Sequence, residues 1–501
     1  MRPTTAAALA GTACAAVALA TAQLAAAAVA PGSAPVAAIG AAVVDAVPEP
    51  VKEFAIRTFG EHDKLALLAG IGTALAVLAA ATGVAARRRP WIGYAVLALL
   101  GGAGAAAALA RPAASPSWAV PSLVGAACGA GVLAMLLRER LEGPAAPGRA
   151  VDRRGVLIAL GGAGLAGAAG WRLTGTSDLE DARDAIDLPA PVDVGPAGTG
   201  LADAAEIDGL TPYLTPSADF YRVDTALVLP RVLPEDYTLR ITGRVANPLE
   251  LSYRDLLDRG LVEREITISC VSNEVGGNLA GNARWLGVPL ADLLAEAGPE
   301  PGADQVVSRS ADGWTAGTPT EACTDGRDAL VAVGMNGRPL PLEHGFPVRM
   351  IVPGLYGYVS ATKWLTEIEL SSFADFDAYW VRRDWKAQAP IKTFSRIDTP
   401  KPLATVAAGP VTVAGVAWAQ QRGVARVEVR VDEGPWSEAE LAPVIGDDTW
   451  RQWKWTWEAA SGRRTLEVRA TDGDGDVQTA ERVAPFPDGA TGWHSIVLNA
   501  E

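Results

Sequence analysis

Histidine and cysteine are both scarce in this sequence, with three histidines and four cysteines among 501 residues. Only Cys270 and Cys323 lie outside the apolar N-terminal part, so a dense disulfide framework is excluded and a single pair stays open. The sequence has no His-Glu-x-x-His and no Cys-x-x-Cys motif, which disfavours zinc hydrolases. A cysteine nucleophile usually needs a histidine, and only His344 falls in the same region as Cys270.

Positive charge is also in short supply, and it is unevenly distributed. Residues 1–175 hold 14 Lys+Arg against 8 Asp+Glu, whereas the remainder holds 29 against 49. So acidic a second part argues against nucleic acid as a partner. An anionic substrate would therefore need a local basic pocket.

The N-terminal third is built from long apolar runs. Four of them contain no charged residue and match the roughly 20 residues that a membrane-spanning helix needs; a fifth, shorter run follows. The runs are Thr4–Ala30, Leu65–Ala86, Trp91–Ala110, Trp118–Leu137 and Gly155–Trp171. We predict an anchor of about five membrane helices.

Basic residues between the runs predict the orientation of this anchor. Arg87–Arg89 follow the second run, and Arg138, Arg140, Arg149, Arg153 and Arg154 follow the fourth, so both loops are expected in the cytoplasm. Five crossings then place everything after Arg172 outside, in a cell-membrane protein with an extracytoplasmic catalytic domain. The first run could instead be a cleaved signal peptide. The runs carry no charge and no histidine, which disfavours a transporter and excludes a bis-histidine haem inside them.

The rest of the chain divides by pattern into four further parts. Short β-type runs mixed with helical pieces predict an α+β domain, and later alternating strands separated by Asp/Gly turns predict an Ig-like β-sandwich. We expect a membrane domain over 1–175, a linker over 176–212, the α+β domain over 213–399, the sandwich over 400–485 and a tail over 486–501.

Cys270 ends a β-type run and opens a loop rich in Ser, Asn and Gly, Cys270-Val-Ser-Asn-Glu-Val-Gly-Gly-Asn278. Such a loop exposes backbone donors and lets a bulky group approach closely. A thiolate there could act as a nucleophile or as a soft metal ligand.

A second stretch, Met335–Trp364, combines polar donors with glycines and an apolar strand. His344, Arg349 and Lys363 are the donors, a set that suits an anion with several phosphate or heterocycle acceptors.

With these motifs the sequence resembles the sulfite oxidase family of molybdenum–molybdopterin enzymes. The resemblance rests on the cysteine loop and on His344-Gly-Phe-Pro-Val-Arg349, Val352-Pro-Gly354 and Lys363-Trp364. It covers roughly residues 210–485. Phe220-Tyr-Arg-Val-Asp-Thr-Ala-Leu227 and Ser395-Arg-Ile-Asp398 resemble bacterial members with fused membrane helices.

The resemblance implies roles for individual residues. Cys270 would bind molybdenum, and Arg222 would join it in catalysis. The residues implied in holding the pterin cofactor are Tyr221, Arg222, Ser310, His344, Arg349, Ser360, Thr362 and Lys363. The sandwich would correspond to the family's dimerisation domain, which implies a homodimer.

One position departs from the family. Sulfite oxidases carry a catalytic tyrosine shortly before the Met335-Asn-Gly segment, where this chain has Val333. We therefore expect oxo transfer to or from a small sulfur or nitrogen compound, sulfite oxidase-like or sulfoxide reductase-like. With no haem expected in the chain, electrons would pass through a separate cytochrome or quinone-linked partner. The alternative is a binding or scaffold member that keeps the fold without the metal.

Overall fold

A computed structural model describes residues 3–48, 51, 54, 58–59, 63–112, 114–138, 153–173 and 175–501. The chain forms two compact units. Unit 1 comprises residues 1–180 and 224–231, and unit 2 comprises residues 181–223 and 232–501. His62 and most of the basic loop between the fourth and fifth apolar runs lie outside the described residues.

Unit 1 is helical, as its composition predicts. Within the part of unit 1 that the structure describes, four helices are long and apolar enough to cross a membrane, whereas two apolar helices are shorter. The helices are α1 (Pro3–Ala27), α2 (Pro35–Ala46), α3 (Asp63–Ala86), α4 (Pro90–Leu109), α5 (Val120–Arg138) and α6 (Arg153–Leu173), with α7 (Ser177–Asp184) at the border of the units. Helix α2 lies between the first two apolar runs.

Glycines allow close helix packing in unit 1. A Cβ on Gly11 of α1 would lie 2.8 Å from the Cα of Gly83 in α3, and the reverse substitution would meet Gly11 at the same distance. Small residues at such crossings are a common means of association for apolar helices, because they let the backbones approach. Segment 224–231 also belongs to this unit, where Lys64 Nζ bonds Asp224 Oδ1 at 2.5 Å.

Unit 2 begins with two sheets, and its mixture of strands and helices confirms the predicted α+β pattern. The first sheet has the order β1-β4-β5-β8-β10 with β9 beside β8, and the second has the order β3-β2-β11-β6-β7. The strands are β1 (Asp193–Val194), β2 (Thr238–Gly243), β3 (Leu249–Ser252), β4 (Val262–Ser269), β5 (Ala280–Pro289), β6 (Gln305–Ser310), β7 (Thr315–Pro319), β8 (Leu330–Met335), β9 (Arg338–Pro339), β10 (Arg349–Ile351) and β11 (Leu365–Ser371). The helices are α8 (Tyr253–Leu257), α9 (Leu290–Ala297), α10 (Thr320–Thr324) and α11 (Gly357–Ser360).

The C-terminal part forms two more sheets, ordered β12-β14-β18-β17 and β13-β20-β19-β15-β16. The strands are β12 (Phe394–Thr399), β13 (Thr405–Val406), β14 (Gly409–Trp418), β15 (Val424–Val431), β16 (Ser437–Glu438), β17 (Glu440–Leu441), β18 (Arg451–Ala459), β19 (Gly462–Asp472) and β20 (His494–Ala500). Their inward side chains form a shared apolar core, which agrees with the predicted sandwich.

Two predicted boundaries are wrong at the edges of the sandwich. Residues 486–501 are not a tail, because β20 lies inside the second sheet and buries Ile496 and Leu498 in its core. The sandwich also starts before residue 400, because β12 pairs with β14. Strands β12 and β20 are short and lie close to Pro and Gly residues, so the alternation of apolar and polar residues did not predict either strand.

The predicted linker over 176–212 is also packed rather than free. Ile186 and Leu188 contact the core of unit 2, and β1 adds a parallel strand to the edge of β4. Cys270 and Cys323 are both free thiols, so the pair left open by the sequence is not formed.

Candidate active site

Cys270 follows the last residue of β4, which pairs with β5 along its whole length. The loop that it opens is closed at its base, because the Cys270 N–H donates to the Leu279 carbonyl at 2.9 Å. Inside the loop, Asn273 N–H donates to the Cys270 carbonyl at 3.1 Å, and Asn273 Oδ1 accepts from Leu279 N–H at 2.9 Å. The thiol thus sits at the rim of a sheet on a short, internally bonded loop.

The surroundings of the thiol act on it in opposite directions. Burial raises the pKa of Cys270 above its ordinary value, although hydrogen bonds from Ser272 and the positive charge of Lys363 act in the opposite direction. A thiolate is the form that binds a metal. Nearby donors and a cation are what a coordinating thiolate would need.

His344 and Arg349 form the centre of a buried basic cluster. Arg349 is 2% exposed, donates from Nη1 to the His344 carbonyl at 3.1 Å, and lies over the Trp285 ring at 5.0 Å. Lys363 adjoins them, since a Cβ on Gly345 would lie 3.0 Å from the Lys363 Cα and 3.1 Å from the Arg349 Cβ. Gly345 has φ +110°, a conformation that L side chains rarely adopt, so a glycine is required for this approach.

The electrostatics of this cluster are those of an anion site. Burial, followed by the charges of Lys363 and Arg349, lowers the pKa of His344 to about 3, and Arg222 acts in the same direction. Burial lowers the pKa of Arg349 to about 10, which leaves it charged at neutral pH. Among the described residues, the charged side chains that act on His344 are all cations. An anion at this place would find several donors and cations.

Two buried polar atoms in the cluster have no hydrogen-bond partner within the described residues: His344 Nδ1 and Arg349 Nε. Buried polar groups are nearly always paired, so each such atom needs an explanation. His344 Nε2 is already engaged with the Ser217 carbonyl at 3.1 Å. A ligand that offers a heterocycle N–H donor to His344 Nδ1 and a phosphate or heterocycle acceptor to Arg349 Nε would satisfy the two remaining atoms.

The Phe220–Arg222 segment reaches both the cysteine and the basic cluster. The Phe220 ring packs edge-on against His344 and Trp285, and stacks on Tyr221. Both Tyr221 and the end of β4 lie close to Gly357. A Cβ added to Gly357 would lie 4.0 Å from Tyr221 Oη and 3.6 Å from the Ser269 carbonyl oxygen. The predicted Tyr221 therefore lies near the end of β4 that leads into the loop of Cys270, and the charge of Arg222 acts on His344.

Three other predicted residues have their hydroxyl groups engaged within the protein. Ser360 Oγ donates to the Leu355 carbonyl at 2.9 Å, and Thr362 Oγ1 shares a 2.6 Å hydrogen bond with Ser308 Oγ. Ser310 Oγ accepts from the Asp312 N–H at 3.5 Å, and Ser310 lies opposite Leu365 in the sheet. Ser360 and Thr362 lie in or next to α11, in the segment that leads to β11 and carries Lys363, whereas Ser310 lies in the neighbouring β6. Their side chains are less suited to a direct cofactor contact than those of His344 and Arg349.

Sequence reasoning missed several residues that shape the site. Ser217 accepts from His344, Phe220 packs against it, and the Trp285 ring supports Arg349. Two residues of the sandwich also reach the cysteine loop: Arg396 and His494. Phe220 and Arg396 belong to the motifs Phe220–Leu227 and Ser395–Asp398, whereas nothing in the local sequence distinguishes Ser217, Trp285 and His494.

A family model described as "Oxidoreductase molybdopterin binding domain" matches residues 226–380, and one described as "Bacterial Ig domain" matches residues 394–481. Mitochondrial sulfite oxidase of Mus musculus is 32% identical over 328 residues, which are 55% of this chain and 58% of that protein. Sulfite oxidase of Gallus gallus is 30% identical over 339 residues, which are 56% of this chain and 72% of that protein. The chain belongs to the sulfite oxidase family.

Membership of the sulfite oxidase family agrees with the fold. The solved structure of the sulfane dehydrogenase SoxCD from Paracoccus pantotrophus superposes with a TM-score of 0.52 at 23% identity, covering 58% of this chain and 84% of that chain. An "Uncharacterized oxidoreductase YuiH" of Bacillus subtilis is 33% identical over 158 residues, or 30% of this chain and 77% of that protein. The chain spans 58% of the length of the Mus musculus protein.

Proposed function

We propose that this chain is a molybdenum–molybdopterin oxidoreductase that moves an oxygen atom to or from a small sulfur or nitrogen compound. The single observation that carries the proposal is the pairing of Cys270, on its loop, with a buried cationic cluster that has two unpartnered polar atoms. A redox-inert binding member of the family would not need the thiol.

The residues fit the cofactor as an anion bearing a heterocycle and a phosphate. Cys270 would provide the thiolate ligand, while Arg349, Lys363 and His344 would hold the pterin and its phosphate. When bound, the cofactor supplies two-electron redox chemistry that protein side chains lack.

The chain's own residues would bind and orient the reactants. His344 is neutral at physiological pH because its pKa is lowered to about 3 mainly by burial. Its Nε2–H donates to the Ser217 carbonyl, so its Nδ1 would accept a hydrogen bond from the cofactor. Arg222 and Tyr221 would face the substrate beside Cys270. The aromatic packing of Phe220 against His344 and Trp285 would keep water away from this side.

We propose that the substrate is an oxygen-atom donor or acceptor other than sulfite. Val333 is fully buried in the core of the first sheet, where it has no group that could donate a proton. The strong acidity of the extramembrane part would also repel free anions at long range.

The membrane arrangement completes the proposal. Four helices of sufficient length support a multi-pass anchor, and the arginine-rich loops support a catalytic domain outside the cytoplasm. A separate electron carrier would then act on the same side. A homodimer through the sandwich stays a prediction from the family resemblance.

The proposal is tested by metal analysis of the purified chain and of two matched variants. Cys270→Ser should yield folded protein with lost or altered molybdenum spectroscopy and no turnover. Cys323→Ser should keep both, because Cys323 is a buried core residue. A fully active Cys270→Ser protein, or a parent chain without molybdenum, would contradict the proposed function.

A further inference from the structure

The motif Ser395-Arg-Ile-Asp398 lies on β12 of the sandwich, yet Arg396 donates hydrogen bonds to residues outside the sandwich. Arg396 is 7% exposed, and its Nη1 donates to the Gly277 carbonyl at 2.8 Å. Its Nη2 donates to Thr211 Oγ1 at 2.9 Å, and its Nε to Asp398 Oδ1 at 2.6 Å. One guanidinium therefore joins the cysteine loop, the segment before the α+β domain and its own carboxylate.

His494, on β20 of the same sandwich, meets the neighbouring residue of the loop. A Cβ added to Gly276 would lie under 3.0 Å from the His494 ring and 3.1 Å from its Cε1. The ring is itself fixed, because His494 Nδ1 accepts the Ile397 N–H at 3.0 Å. Gly276 has φ +80°, so both its backbone and its surroundings favour glycine.

These two contacts are made at Gly276 and Gly277, six and seven residues after Cys270. The base of the loop is closed by the hydrogen bond between Cys270 and Leu279, and Asn273 bonds back to both ends of that base. The Gly276–Gly277 turn has room for no side chain, since a Cβ on Gly277 would lie 2.6 Å from Asn273 Oδ1. A displacement of this turn would therefore displace Asn273, which is hydrogen-bonded to Cys270.

We infer that Arg396 and His494 are positioning residues for Cys270, through which the sandwich holds the cysteine loop in its metal-binding shape. Both residues contact the loop at Gly276 and Gly277, and they would act on Cys270 through these glycines. The inference rests on the proposed role of Cys270 as a molybdenum ligand. It assigns the sandwich a part in the active site that is separate from dimerisation.

The first test is hydrogen exchange of the purified full-length chain, read by mass spectrometry in peptides that cover residues 271–279. Arg396→Lys keeps a cation beside Asp398 but cannot make all three hydrogen bonds, so the sandwich should stay folded while the loop loosens. We expect exchange in these amides to rise about tenfold, and Arg396→Gln to exceed it. Arg430→Gln is the matched control, because Arg430 pairs with Glu467 within the sandwich.

The second test is the Mo(V) electron paramagnetic resonance signal of the loaded protein, which reports on the geometry of the thiolate ligand. Arg396→Lys and His494→Gln should shift this signal at unchanged molybdenum content, whereas Arg430→Gln should leave it as in the parent. Loop exchange and a Mo(V) signal both equal to the parent's in Arg396→Lys would overturn the inference.

The two tests also separate this inference from the proposed function. If the parent chain binds no molybdenum, the proposed function fails, and hydrogen exchange still decides whether Arg396 holds the loop. If molybdenum is bound and only the loop contacts prove irrelevant, the proposed function stands without this inference.

Discussion

Gly276→Ala should destabilise unit 2 by an amount that the structure allows us to divide into two parts. The left-handed backbone at φ +80° costs a residue with a Cβ about 1–2 kcal/mol. Crowding against the His494 ring, which the Ile397 N–H holds in place, adds about 1–3 kcal/mol. We expect the free energy of unfolding to fall by about 2–5 kcal/mol in total.

A double-mutant cycle separates the two parts. His494→Ala removes the ring, so Gly276→Ala in that background should cost only the backbone part, with a coupling energy of about 1–3 kcal/mol. Gly475→Ala is the control, because Gly475 has φ +92° and nothing within 4 Å of an added Cβ. The assay is urea unfolding of the detergent-solubilised chain followed by tryptophan fluorescence. If Gly276→Ala costs no more than Gly475→Ala, the packing of His494 on the loop is not a constraint.

Three further predictions concern pH, substrate and export. Burial, then Arg396, lowers the pKa of His494 to about 4, with Arg482 in the same direction and Asp398 opposed. The unfolded chain takes up a proton below about pH 6.5, so stability should be full above that pH and fall by up to about 3 kcal/mol towards pH 4; His494→Gln should flatten this decline in acid titrations of unfolding. Because Val333 cannot act as a tyrosine would, purified enzyme should reduce a sulfoxide or N-oxide faster than it oxidises sulfite, and efficient sulfite turnover in a steady-state assay would reject this. Arg153 and Arg154 begin α6 and resemble a twin-arginine export signal, so replacing both with lysine should leave unit 2 protected from protease in spheroplasts; accessibility equal to the parent's would mean that they only orient the helix.

The sequence was sufficient for features that depend on local pattern. Apolar runs predicted the long helices, and alternating residues predicted strands such as β14 and β15. The polar residues His344, Arg349 and Lys363 were predicted as an anion site from residue type and neighbouring glycines, and the structure brings them together. The family resemblance is confirmed by the relatives.

What the sequence could not provide were contacts between distant segments. Strand β1 has only two residues, and its pairing with β4 gives no periodic signal. The importance of His494 depends on a glycine in another domain, and that of Arg396 depends on three partners far apart in the chain. The hydroxyl groups of Ser360 and Thr362 looked available in the motif, but their local folding occupies them.

The place of β20 in the sandwich has a consequence for how the protein is made. His494 lies 224 positions after Cys270, so a ribosome adding about 5–20 residues per second leaves the cysteine loop unsupported for roughly ten to forty seconds. During that interval the loop can form the hydrogen bond between Cys270 and Leu279, but His494, whose ring packs on Gly276, has not yet been synthesised. Cofactor insertion that requires the finished loop would therefore wait for β20 to pair with β19, which makes loading a late, post-translational event.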